Sequence, residues 1–176
     1  MITAINEEKV LSLFFYRPMS QFGVRELSRE TNLDTKTVMK YLNEFVNRKI
    51  VIKQHKKGSF PYFEANRLSL TYRFTKGHIL LTKIVESGLI QFIEEKCKPK
   101  VIVLFGSVAK GTYHEKSDID LFVQAEDKRI DLSNFERKLG HEISLFFEAD
   151  FKNLTRGLLA NIYNGEVLSG RLEVLS

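Results

Sequence analysis

The feature that most constrains this chain is the apolar run Val101-Ile102-Val103-Leu104-Phe105, which ends on Gly106-Ser107 and is followed by Asp118-Ile119-Asp120. Five consecutive apolar residues stopped by a glycine predict a buried strand. Glycine at its end lets backbone N–H groups come close to an anion, and amides at such a turn, or at the start of a following helix, attract phosphate. In the second strand, side chains two residues apart share a face. Asp118 and Asp120 therefore project together while Ile119 and Leu121 go to the core, and two oxygen ligands converge on one hard cation.

The full pattern is Gly106-Ser107, three residues, Gly111, six residues, then Asp118-x-Asp120. It resembles the nucleotidyltransferase superfamily related to DNA polymerase beta, and most closely its minimal nucleotidyltransferase branch. The resemblance covers roughly the second half of the chain. It implies that Gly106 and Ser107 sit against a nucleoside triphosphate and that Asp118 and Asp120 hold Mg2+, two ions in an active enzyme; Lys110, from its place in the loop beside the motif, is a candidate phosphate contact, with a solvent-facing lysine as the competing reading. It also implies transfer of a nucleoside monophosphate to a hydroxyl of a protein or small molecule. Some minimal members are antitoxins that modify a partner toxin, so a partner protein is a candidate acceptor.

The family places a third carboxylate on a later strand, here His141-Glu142-Ile143-Ser144-Leu145-Phe146-Phe147, and the matching position holds Ser144. Serine is a poor metal ligand and no base. Glu142, two residues earlier, is the substitute candidate, reaching about 7 Å along the strand. Two readings follow: a transferase with Asp118, Asp120 and Glu142 as catalytic carboxylates, or a former enzyme that only senses nucleotide.

The charge of the chain is unevenly distributed. Residues 1–85 hold 15 Lys+Arg against 7 Asp+Glu, whereas residues 86–176 hold 12 against 15. The basic half is a candidate polyanion binder. Glu7 to Tyr16 carries Val10, Leu11, Leu13, Phe14 and Phe15 and stops before Pro18, predicting a first helix. A second runs from Val24 to the breaker Asn32, and a third opens at Asp34 as N-cap and carries Val38, Met39, Leu42, Phe45 and Val46. Ile50–His55 and Pro61–Ala65 flank a Lys56-Lys57-Gly58-Ser59 turn and read as a hairpin.

Three helices and a basic hairpin are similar to a winged-helix DNA-binding domain, over about residues 5–66. That resemblance implies that the third helix enters the major groove of double-stranded DNA with Thr35, Lys36, Thr37, Lys40 and Tyr41, while Lys53, His55, Lys56 and Lys57 of the wing follow the backbone. A docking module without DNA is the competing reading of the same fold.

The expected organisation is a two-domain α+β or α/β chain: a winged helix over 1–66, a helical connector over 67–86 and a nucleotidyltransferase domain over 87–176, built as a mixed sheet flanked by helices. The connector is expected to break near Gly77 and again at Ser87-Gly88, and its first part is a candidate dimer helix in a homodimer. Glu126 to Leu139 reads as a helix, Asn153 to Asn164 as another, and Val167 to Val174 as a closing strand or hairpin. No run of 18 apolar residues exists and the start lacks a basic, then apolar leader, so the expectation is a cytoplasmic protein with no membrane partner. Cys97 is single, which excludes an intrachain disulfide, and His78 and His141 lack metal-ligand spacing.

Overall fold

The computed structural model describes residues 2–173, with side chains from residue 5 onward. The chain divides into two compact units, residues 1–75 and 76–176.

In the first unit, α1 (Ile2–Tyr16) is followed by a two-residue strand β1 (Gln21–Phe22), then α2 (Val24–Thr31), α3 (Thr35–Asn47), β2 (Val51–Gln54) and β3 (Tyr62–Ala65). The polar residues between α2 and α3 set the boundaries. Asn32 takes the left-handed conformation at φ 55° and ends α2, and the Asp34 carboxylate accepts from the Thr37 N–H at 2.9 Å and its hydroxyl at 2.6 Å to start α3. Those two bonds hold the Asp34 carboxyl below its ordinary pKa. Val38, Tyr41, Leu42 and Phe45 form the buried stripe of α3, at the 3, 4 and 7 spacing of one helix face, and close with Val10, Phe14, Phe22, Leu27 and Phe63 around one core.

The hairpin pairs β2 with β3 antiparallel, and β1 adds to the other edge of β3 with Phe22 opposite Phe63, giving the order β1-β3-β2. β1 is too short for alternation to reveal it in the sequence. Phe22 is fixed there because its ring meets Phe14 edge-on at 5.0 Å.

One helix, α4 (Leu70–Glu86), contains the point where the units divide. It runs unbroken through Gly77, where the sequence suggested a break. The glycine serves close packing instead: a Cβ there would lie 3.2 Å from the Val108 carbonyl and 3.4 Å from the Gly111 amide nitrogen. The helix stops at Glu86 as expected, and Gly88, at φ 85°, opens α5 (Leu89–Cys97).

The second unit is built on four strands: β4 (Val101–Phe105), β5 (Ile119–Val123), β6 (Ile143–Phe147) and β7 (Glu166–Gly170), in the order β6-β5-β4-β7. β5 and β6 are parallel and the other neighbours antiparallel, so the sheet is mixed. A single turn, α6 (Gly106–Ala109), follows β4; α7 (Ser133–Leu139) lies between β5 and β6, and α8 (Arg156–Tyr163) between β6 and β7.

All five residues of β4 are buried and split between two cores. Ile102 and Leu104 join Ile119, Leu121 and Val123 beneath α5 and the end of α4, with Cys97 partly buried against them. Val101, Val103 and Phe105 join Phe122, Phe151 and Ile162 beneath α8. Each such side chain contributes about 1.5–3 kcal/mol on burial, so the central strand is the least movable part of the unit.

Two elements are shorter than the sequence suggested. The helix expected over 126–139 begins only at Ser133: Glu126 to Arg129 are all exposed with nothing apolar to bury, and the Asp131 carboxylate accepts from the Ser133 N–H at 3.0 Å and starts the helix there. The helix expected from Asn153 begins at Arg156, where Thr155 caps it; residues 151–153 form a 3-10 turn. The closing strand ends at Gly170, and Val174 lies outside the described residues. Among the described residues, no helix is long and apolar enough to cross a membrane.

Candidate functional site

The residues singled out in the second unit gather at one end of the central strands. Gly106 takes φ 73°, a conformation open to glycine, and a Cβ added there would collide with the Asp120 carboxylate. The turn after β4 is thus pressed directly against the first strand-borne acid, which explains why this position is glycine on two independent grounds. The turn is closed by its own backbone: the Gly111 N–H donates to the Val108 carbonyl at 3.0 Å and the Thr112 N–H to the Ser107 carbonyl at 2.9 Å. Ser107 is half-buried.

Asp120 lies inside β5, opposite Phe105 on one side and Ser144 on the other, and Asp118 immediately precedes the strand. Both acids are half-buried. Burial raises the Asp120 pKa above its ordinary value, and the negative charge of Asp118 raises it further. A cation between them would relieve both effects.

Ser144 stands where the third carboxylate was sought, directly beside Asp120, and its hydroxyl is 3.4 Å from the Asp118 carboxylate, a long donor contact. Glu142 precedes β6 rather than lying within it; its carbonyl accepts from the Ile119 N–H at 2.8 Å. Its exposed side chain borders a hollow of about 470 Å³ whose walls include Asp118, Glu115, Lys116 and Glu136, but not Asp120. Among the described residues, no three His, Cys, Asp or Glu side chains form a metal-holding group. Lys110 is exposed and its Nζ donates to Asn161 Oδ1 on α8 at 3.3 Å. Asn161 was not anticipated, because only the closing of the sheet brings α8 to this turn; Thr112, next to Gly111 in the chain, was passed over although its bond to Ser107 is local.

In the first unit, Thr35, Lys36, Lys40, Lys53, His55, Lys56 and Lys57 are all exposed. Thr37 is occupied in the cap of α3, and Tyr41 is buried, stacked near-parallel on Phe45 at 6.3 Å, because its position falls on the core stripe. Tyr41 therefore offers no exposed ring to a ligand. Thr35 and Lys53 meet across a largely apolar hollow of about 450 Å³, which Arg25, Met39, Phe60 and Pro61 also line. Phe60, 88% exposed, was not anticipated as part of this surface.

Comparison with known families gives one match: residues 87–173 fit the family model described as "Polymerase beta, Nucleotidyltransferase". No curated protein and no solved structure shows significant similarity to the chain. The matched stretch contains the turn after β4, both aspartates and Ser144.

Proposed function

We propose, from the premise that residues 87–173 form a nucleotidyltransferase-type domain, that this chain joins a magnesium–nucleoside triphosphate site to a winged-helix unit that binds double-stranded DNA. The observation that carries the nucleotide half is the packing of the Gly106 turn on Asp120, with Asp118 alongside. A phosphate-accepting turn and a strained pair of carboxylates belong to one end of one strand pair, and a metal–triphosphate needs both at once.

The donor set fits Mg2+: Asp118 and Asp120 are hard oxygen donors, and a cation would offset the burial and like charge that raise Asp120. When bound, Mg2+ supplies charge neutralisation on the triphosphate and polarises its phosphorus toward attack. The chain's own residues do the rest. Backbone amides of the Gly106–Ser107 turn orient the triphosphate, Lys110 lends a cation from the rim, and the two aspartates hold the metal edge. In the transfer, an acceptor hydroxyl oxygen bonds to the α-phosphorus, the bond to the leaving pyrophosphate breaks, and the hydroxyl proton departs to solvent or to Glu142 on the Asp118 side.

Ser144 favours a second reading, in which the site holds nucleotide without turnover and reports it to the DNA-binding unit. A neutral hydroxyl next to Asp120 is a poor second-metal ligand and no base for the acceptor proton. Incubation with Mg2+ and each labelled nucleoside triphosphate separates the two readings. Label transfer to a protein or small-molecule hydroxyl, lost in Asp118→Asn, supports the transferase; binding without transfer, with transfer appearing in Ser144→Asp, supports the sensor. Absence of nucleotide binding in the parent protein would sink both.

For the first unit, the support is the element order of α1-β1-α2-α3-β2-β3 with a flanking hairpin, together with the exposed cations of early α3 and of the hairpin. Such cations give phosphate affinity and salt dependence rather than base choice. Two copies reading two half-sites, as a homodimer, is the assembly that follows from this role. Gel-shift titration on random and upstream duplexes across a salt series is the test; binding that is absent, or indifferent to salt, would leave a protein-docking role for this unit.

A further inference from the structure

Lys76 takes no part in the chemistry above, yet it is only 1% exposed. Placing an ammonium in a core is costly unless strong acceptors meet it. Its Nζ donates to the Tyr113 carbonyl at 2.5 Å and lies 4.3 Å from the centre of the Tyr113 ring. The Tyr113 hydroxyl donates back to the Lys76 carbonyl at 3.2 Å. Lysine and tyrosine thus grip each other through both side chains and both carbonyls.

The contacts continue toward the acids. The Tyr113 ring stands edge-on to His141 at 5.6 Å, and His141 Nδ1 lies 2.7 Å from the carbonyl of Ser117, the residue before Asp118. One residue beyond Lys76, Gly77 packs against Val108 and Gly111 of the phosphate-facing turn. Neighbouring residues of α4 therefore touch the loop between β4 and β5 at Val108, Gly111 and Tyr113, and His141 carries the contact on to its far end at Ser117. Lys76 and Gly77 precede the stretch matched by the family model, which begins at residue 87.

We infer that Lys76 is a positioning residue for the metal-holding pair: through Tyr113, His141 and Ser117 its ammonium fixes the loop that aims Asp118 at the cation shared with Asp120. This rests on the reading of Asp118 and Asp120 as a metal site. Methionine of similar length would fill the same space but could not hold the Tyr113 carbonyl, so the loop would keep its packing and lose its anchor.

The test is Mn2+ titration, followed by electron paramagnetic resonance, on the full chain with thermal melting in parallel. Lys76→Met is expected to stay folded and to bind Mn2+ about tenfold more weakly, and Lys76→Arg, which keeps the charge and donors, to return to within about threefold of the parent. A folded Lys76→Met with unchanged Mn2+ affinity overturns the inference, as does failure of arginine to restore what methionine loses.

Should Lys76→Met not fold, His141→Phe keeps a ring beside Tyr113 but removes the Nδ1 contact with the Ser117 carbonyl, the last link toward Asp118. About threefold weaker Mn2+ binding is expected, and parent-like affinity overturns the inference. The underlying metal reading fails separately: it falls, and this inference with it, if the parent and Asp118→Asn bind Mn2+ equally.

Discussion

Cations in the first unit and ionisable groups in the second are used in opposite ways. Lys36, Lys40, Lys53, Lys56 and Lys57 all stand in solvent, whereas Lys76 is sealed in a core and Asp120 is half-buried beside a like charge. Exposed charge acts at a distance and is screened by salt. Buried charge acts on its immediate neighbours, titrates away from its ordinary value and depends on position to a fraction of an ångström. Under the proposed function, the exposed charge suits a diffuse polyanion and the buried charge a small, localised ligand, and the contrast can be attacked at each end.

The largest effect is expected at the most confined position. Gly106→Val places a β-branched residue at φ 73° and drives its Cβ into the Asp120 carboxylate. Backbone strain alone costs about 1–3 kcal/mol, and Asp120 must also move. Affinity for a fluorescent triphosphate analogue with Mg2+ is expected to fall by more than about 100-fold, while DNA binding by the first unit persists. Retained nucleotide affinity in this variant would show that the turn and the acids do not form one site.

Next is the buried lysine. Burial lowers the Lys76 pKa from 10.5 to about 8. Between those values the unfolded chain binds more protons than the folded one, so stability rises with pH; below about 8 both states carry the proton and the penalty is constant. The rise is bounded at about 3 kcal/mol by 1.36 kcal/mol per unit. Denaturant midpoints measured from pH 7 to 10 should climb in the parent and stay flatter in Lys76→Met. Above pH 10 the buried Tyr72 phenol, held protonated by its surroundings, acts the other way and masks the trend. Equal slopes in parent and variant would mean that Lys76 is not desolvated in solution.

At the exposed end, replacing Lys53, Lys56 and Lys57 together by alanine should weaken DNA binding by about tenfold or more and reduce the salt slope by about 2–3, since each phosphate contact contributes about 0.9. Melting should hardly change, because none of the three is buried. A loss of stability comparable to that of a core substitution would erase the contrast between the two units.

Which features the sequence disclosed follows the same division. Local chemistry was legible: Asn32 and Asp34 mark the ends of α2 and α3, the apolar run marks β4, and the two-residue spacing puts Asp118 and Asp120 together. Tyr41 was legible too, since it falls on the helix stripe with Val38, Leu42 and Phe45, although its type suggested a surface role. Long-range demands were not. Gly77 reads as a helix breaker until the Val108 carbonyl is beside it, Lys76 as one more surface lysine until Tyr113 encloses it, and Gln21-Phe22 as loop until β3 pairs with it. Each depends on a partner dozens of residues away, and periodicity carries no record of it.

The smallest expected effect tests whether the aspartate pair is strained without its cation. Asp120 is raised first by burial and then by Asp118. An acid whose folded pKa lies above its unfolded value binds more protons when folded, so its contribution to stability falls as pH rises from about 3.8 through the raised value. Asp118→Asn removes the like charge and should stabilise the metal-free protein at pH 7 by roughly 0.5–1 kcal/mol after solvent screening, while abolishing the stabilisation that Mg2+ gives the parent. Paired melting curves with and without Mg2+ should therefore cross: variant above parent in chelator, parent above variant in metal. A parent that melts higher in both conditions would mean that the two carboxylates support the fold rather than await a cation, and the site would lose its claim to be built for one.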